Sequence, residues 1–270
     1  MDQALSTAPG GVTVVADAPP APPGMAAAEW RLRLELAACY RLFDWLGWTT
    51  TIYNHISLRL PRPDPAYLIN PFGLNYDEVS ARNLVAIDLQ GRKLDHSPHP
   101  VNTAGFVIHS ALHAARGDAH CIAHTHTLAG MAVACKASGL RFDNFNAALL
   151  HGKVAYHDFE GVTTDPEEQP RLVASLGDRS VLILRNHGLL VSAGSVPEMF
   201  ALMSTLQKAC EVQVATDAMA GPNVDIAASV LAKVPRQDAA LPRGGQRTGQ
   251  MLFDACLRRA GIRYDDLAER

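Results

Sequence analysis

The apolar positions of this chain change period several times, and each change marks an element. Over residues 26–46, Trp30, Leu34, Ala37, Ala38, Arg41 and Trp45 fall close to helical spacing, and Gly47 stands where a helix would stop. Residues 49–60 and 67–70 are β-branched or alternating, which predicts two strands joined by a proline-rich turn at 61–65. Phe72-Gly73 makes a second turn, and 84–88 a short strand closed by Gln90-Gly91. Asn102 is the expected N-cap of a helix over 103–116, ended by Gly117-Asp118.

The second half alternates in the same way. Residues 121–126 read as a short buried strand that enters a small-residue helical segment, 127–135. Further strands are expected near 154–156, at 180–185 and at 189–192, the last two separated by the turn Asn186-His187-Gly188. A helix is expected over 166–176. Ser195-Val196-Pro197-Glu198 reads as a capping box that opens a long helix to about residue 218. Residues 221–245 look like a polar connection and 250–260 like a last helix. Helices and strands mingle without a repeat, so residues 25–270 are read as one α/β domain with a C-terminal helical extension. Residues 1–24, with Ala18-Pro19-Pro20-Ala21-Pro22-Pro23, bury little and are expected to form a disordered tail.

Composition narrows the function classes. A hydrophobic share of 48 % in 270 residues supports a sizeable core. A net charge of −3 carries no electrostatic footprint for nucleic acid. No apolar run reaches the roughly 18 residues of a membrane span, and no basic start precedes an apolar segment, so a cytoplasmic location is expected. The five cysteines lack any C-x-x-C spacing and read as reduced thiols.

The eleven histidines draw attention to chemistry. Side chains alternate along a strand, so His124 and His126 of Cys121-Ile122-Ala123-His124-Thr125-His126 stand on one face. Two such imidazoles can share one ion, since zinc takes nitrogen at roughly 2.0–2.1 Å. His187, held in a tight turn after an apolar strand, supplies a third donor and leaves one position open, as in catalytic metal sites. The competing reading is two histidines satisfied by backbone groups and one ordinary turn residue.

An ordered set of short motifs then comes into view. Gly47-Trp48, Asn54-His55-Ile56-Ser57, Ile69-Asn70-Pro71-Phe72-Gly73-Leu74, His124-Thr125-His126 and Arg185-Asn186-His187-Gly188 follow one another. Together they resemble the class II aldolase/adducin family over roughly residues 30–217. Leu36-Ala37-Ala38-Cys39-Tyr40-Arg41-Leu42 and Ala209-Cys210-Glu211-Val212-Gln213 look like its adducin branch, in the head domain. The resemblance implies a three-layer α/β/α sandwich with a central, mainly antiparallel sheet, and a homotetramer. It also implies a metal site at His124, His126 and His187, most readily zinc, with manganese or iron as alternatives.

Two departures from the family's sugar-phosphate aldolases shape the functional expectation. There a glutamate moves a proton beside the zinc; its place falls on Gly105 here, which leaves expected room for a substrate carboxylate at a helix start. The family's phosphate-holding hydroxyl pairs fall on Phe72-Gly73 and Thr103-Ala104, and Phe72 replaces a hydroxyl with an aromatic ring. The implied substrate site therefore comprises Asn54, Phe72, Gly73, Thr103 and Gly105 around an unphosphorylated small molecule. His109 and His55 are the candidates for the missing acid/base; His113 shares a helix face with His109 and reads as surface packing, and Tyr156 and His157 are weaker candidates. The reading is a metal-dependent lyase acting by aldol cleavage or decarboxylation. The alternatives are a non-catalytic adducin-like interaction protein and, less favoured, a sugar-phosphate aldolase or epimerase.

Overall fold

A computed structural model describes residues 18–162 and 165–269, with the side chains of Thr103 and Ala104 outside that description. Seven strands form one sheet: β1 (His55–Leu60), β2 (Ala66–Ile69), β3 (Val85–Asp88), β4 (Cys121–Thr125), β5 (Val154–His157), β6 (Val181–Leu184) and β7 (Gly188–Ala193). Their order is β3-β2-β1-β4-β7-β6-β5. Every neighbouring pair is antiparallel except β5 and β6, which run parallel. That pair needs a crossover, supplied by a 3-10 turn at Pro166–Glu168 and the helix that follows it. The expected α/β/α sandwich with a mainly antiparallel sheet is the architecture observed.

The helices in chain order are α1 (Ala27–Trp45), α2 (Thr103–Ala115), α3 (Leu128–Ala134), α4 (Phe145–Leu149), α5 (Gln169–Leu176), α6 (Val196–Asp217), α7 (Ala228–Leu231), α8 (Val234–Ala239), α9 (Gln250–Ala260) and α10 (Tyr264–Ala268). Alternation along the strands divides them into two layers. Cys121 and Ala123 of β4 join a core with Leu36 and Tyr40 of α1, Phe200 and Met203 of α6 and Phe253 of α9. Ile122 faces the opposite way, into a core with Ile108 and Leu112 of α2 and Leu172 and Leu176 of α5. Each fully buried side chain of this size stabilises the fold by about 1.5–3 kcal/mol.

Several expectations are corrected. The strand over 49–60 begins only at His55, because the Asn54 side chain accepts the Thr50 N–H at 2.7 Å and turns the chain, with Thr51 at φ 49. Trp45, the last residue of α1, is 44 % exposed, and the Arg259 guanidinium covers its ring at 5.6 Å. The 221–245 connection contains α7 and α8; Pro235 sits in the first turn of α8, where a proline costs no helical hydrogen bond. The helix over 250–260 is not the last, since α10 follows and its Leu267 carbonyl accepts the Ala81 N–H at 3.0 Å. Only half of the Ser195 capping box forms: Ser195 accepts the Glu198 N–H, while Glu198 reaches back to Gly194 N–H. At the N-terminal end, residues 1–17 lie outside the described residues. Of the expected tail to residue 24, Pro19 accepts the Trp30 indole N–H at 2.9 Å, and Ala18 and Ala21 pack on the core. No helix among the described residues is long and apolar enough to cross a membrane.

Candidate metal centre

The end of β4 brings the first histidines together. His124 faces the same side as Ile122, and its partner across β1 is His55. His124 Nδ1 lies 3.0 Å from the Leu189 carbonyl. A carbonyl only accepts, so Nδ1 carries the proton and Nε2 is left with its lone pair. His126 stands just past the strand, and Thr50 holds its carbonyl with a 3.1 Å hydrogen bond.

His187 arrives from the β6–β7 turn. Asn186 takes the left-handed conformation there, at φ 56, which asparagine tolerates. Gly188 is needed for a different reason: a Cβ at that position would lie 2.4 Å from the Thr125 carbonyl oxygen. The bare glycine lets β7 close on the end of β4 and delivers His187 to the other two rings.

The three histidines meet at their Nε2 atoms. His124 Nε2 is 2.7 Å from that of His126 and 3.2 Å from that of His187. One ligating atom from each lies within 4.8 Å of the others, and His126 and His187 are half-buried. A tetrahedral ion with zinc–nitrogen bonds of about 2.0–2.1 Å would hold its nitrogens about 3.3 Å apart. The His124–His187 spacing matches this and the His124–His126 spacing is shorter, so the donor set fits a divalent ion once the His126 ring moves outward. Burial lowers all three pKa values, most for His124, which also lies near the other rings; His187 falls to about 4 through burial and then His126. The rings are neutral at pH 7, the state a metal ligand requires.

A second group of histidines lies behind this cluster. His55 is packed between His124, with ring centroids 5.2 Å apart, and His109, at 4.4 Å. His55 Nδ1 is 2.9 Å from His109 Nε2. Ser57 Oγ lies 2.6 Å from His109 Nδ1 and 2.7 Å from His113 Nε2, and His113 Nδ1 is 2.7 Å from the Ala119 carbonyl. Burial is the largest cause holding His55 and His113 down at about 3 and His109 well below the ordinary range; His126 and His187 add to it for His55, and His55 for His109. His113 is not a surface residue: it is 2 % exposed and stacks on Tyr67 at 4.3 Å. The α2 face that carries it turns inward against β1.

The other expected site residues are placed as follows. The room expected beside Gly105 is already filled, since a Cβ there would lie 2.2 Å from the His55 ring. Asn102 caps α2 by accepting the Gly105 N–H. Asn54 is fully buried and its Nδ2 has no hydrogen-bond partner, a donor left for something else. Phe72 and Gly73 form the turn after β2, tied by the Phe72 N–H to the Pro100 carbonyl at 3.0 Å; no hydrogen bond or ring contact joins them to the histidines among the described residues. The side chain of Thr103 lies outside the described residues. Tyr156 and His157 serve the scaffold: Tyr156 OH accepts the Leu140 N–H, and His157 bonds Ser175 and faces Glu168. Ser57 was not foreseen; its signal was its place two residues after His55, on the same strand face.

Residues 34–214 match the family described as Class II Aldolase and Adducin N-terminal domain. The crystal structure of an aldolase II superfamily protein from Pseudomonas syringae is 42 % identical and superposes with a TM-score of 0.81, over 87 % of this chain and 94 % of that one. The L-fuculose 1-phosphate aldolase of Glaciozyma antarctica PI12 is 26 % identical and superposes with a TM-score of 0.77, over 90 % of this chain and 96 % of that one. Alpha-adducin of Rattus norvegicus is 49 % identical over 196 residues, covering 72 % of this chain but 26 % of that protein.

Proposed function

The chain belongs to the class II aldolase and adducin N-terminal domain family, and from that premise we propose that it is a metal-dependent lyase. Its substrate is an unphosphorylated hydroxy or keto acid, or an aromatic carbonyl compound, and its reaction aldol cleavage or decarboxylation. The observation that carries this reading is the convergence of three neutral Nε2 atoms, with the His124 tautomer set by the Leu189 carbonyl.

His124, His126 and His187 would hold the ion, and imidazole donors favour zinc over manganese or iron at such a site. When bound, a divalent ion supplies a Lewis acid beside the carbonyl or carboxylate next to the breaking carbon–carbon bond. The chain's own residues do the rest. Asn54 would donate its free Nδ2–H to a substrate oxygen. Phe72, Gly73 and Thr103 would line the substrate, while the space beside Gly105 is taken by the His55 ring. His55 would accept a substrate proton, and His109, bonded to His55 Nδ1, would hold that ring in place. No carboxylate belongs to the converging donor set among the described residues, so the ion's charge would stay uncompensated and favour an anionic substrate. A cytoplasmic homotetramer, testable by sedimentation, goes with this reading.

The 49 % identity to an adducin segment favours one second reading, a non-catalytic interaction module. Elemental analysis of protein purified without added metal separates the two. The lyase reading expects about one divalent ion per chain, lost on His124→Ala with His126→Ala, and turnover in a screen of β-keto acids, hydroxy-keto acids and aromatic dicarboxylates. No metal, even after incubation with zinc or manganese, would leave the interaction module.

A further inference from the structure

The hydrogen bonds behind the cluster form a chain whose proton positions follow from one end. The Ala119 carbonyl only accepts, so His113 Nδ1 donates to it and neutral His113 must accept at Nε2. Ser57 has one proton and gives it to His113 Nε2. Ser57 Oγ therefore receives the His109 Nδ1–H, which leaves His109 Nε2 as an acceptor. His55 Nδ1–H then donates to His109. The last atom, His55 Nε2, carries a lone pair, and no hydrogen bond occupies it among the described residues.

The surroundings of that atom suit it for one task. A Cβ at position 105 would lie 2.2 Å from His55 Cδ2 and 2.4 Å from Nε2, so the ring edge passes the bare Cα of Gly105 at the start of α2. Glycine at 105 is the condition for this pose. The opposite neighbour is His124. Ser57, His109 and His113 are each 2 % exposed, so the chain is shielded from water that could exchange its tautomer.

We infer that Ser57, His109 and His113 are positioning residues that fix His55 with a bare Nε2 beside the three-histidine cluster, and that this neutral acceptor selects an anionic 2-hydroxy acid through its O–H. The inference deepens the lyase reading and rests on it for the metal. A carboxylate in this place would also accept the hydroxyl, but it would repel the substrate's carboxylate. A neutral imidazole accepts without that repulsion, and it is satisfied only by a ligand that brings a proton.

The test uses the zinc-loaded full chain with glycolate and methoxyacetate. Both carry a carboxylate and an α-oxygen, and only glycolate carries an O–H. Wild type is expected to bind glycolate about tenfold more tightly, the worth of roughly one hydrogen bond. His55→Phe keeps the ring volume and should bring the ratio toward one with zinc retained. Gly105→Ala, whose methyl displaces the His55 ring, should do the same, and it stands in if His55→Phe does not fold. In ¹⁵N spectra of histidine-labelled protein, His55 should be protonated at Nδ1 and bare at Nε2, with the two forms mixed in Ser57→Ala. An unchanged ratio in both variants, a proton on His55 Nε2 in wild type, or loss of zinc in His55→Phe would overturn the inference. If wild type takes up no zinc, it is the lyase reading that fails, and the spectra of the metal-free protein still decide the tautomer chain.

Discussion

Two groups of histidines share one face of the sheet and are treated in opposite ways. In the front group, the Nε2 atoms of His124, His126 and His187 crowd together, and among the described residues only Nδ1 of His124 has a backbone partner. In the rear group, His55, His109 and His113 are satisfied by one another, by Ser57 and by the Ala119 carbonyl. The difference teaches that histidine type and burial alone do not mark a ligand. What marks one is a set of lone pairs converging with no protein donor between them.

The sharpest break in this contrast should come from the front group. His187→Ala removes one of three donors, and uptake of a divalent ion, measured by elemental analysis after dialysis, should fall from about one per chain to near zero. Gly188→Ala should come next, because its methyl meets the Thr125 carbonyl at 2.4 Å. Separating the ends of β7 and β4 should weaken both metal uptake and stability, by about 2–4 kcal/mol in urea unfolding, within the range of overpacked core sites.

The rear group should respond to acid rather than to metal. Burial lowers His113 to about 3 and His109 well below the ordinary range, whereas in the unfolded chain both titrate near 6.5. The unfolded state therefore binds more protons below pH 6.5. Stability from these groups is complete above that pH and is lost as pH falls toward 3, by up to about 1.4 kcal/mol per pH unit for each. Urea midpoints of the metal-free protein between pH 7 and 4 should fall accordingly, and His113→Phe should flatten the slope. A wild-type midpoint independent of pH would show that the rear histidines titrate in the folded protein as they do in the unfolded chain. The smallest effect should be that of Ser57→Ala, about 1–3 kcal/mol for the hydrogen-bonding groups it leaves unpaired, with metal content unchanged.

Much of the fold was legible in the sequence because period and caps agree with it. The His-x-His strand, the Asn102-capped helix and the long helix opened by Ser195 all lie where apolar spacing and end residues place them. The misses are local. Asn54 turned the chain where β-branched neighbours suggested a strand, and short helices such as α7 and α8 bury no residue, so no apolar stripe announced them. At the site, the strand alternation correctly put His124 on the Ile122 face. The consequence of Gly105 was not legible, because it depends on His55 reaching across from β1 to fill the space. The Ser57 link was hidden for the same reason: it joins residues more than fifty positions apart.

The most direct test of the account is the anomalous scattering map of a crystal of the zinc-loaded protein, measured at the zinc edge. The account predicts a single strong peak per chain, about 2.0–2.1 Å from the Nε2 atoms of His124, His126 and His187, with His55 outside the coordination shell. Zinc bound elsewhere, or no peak at the three histidines, would contradict it.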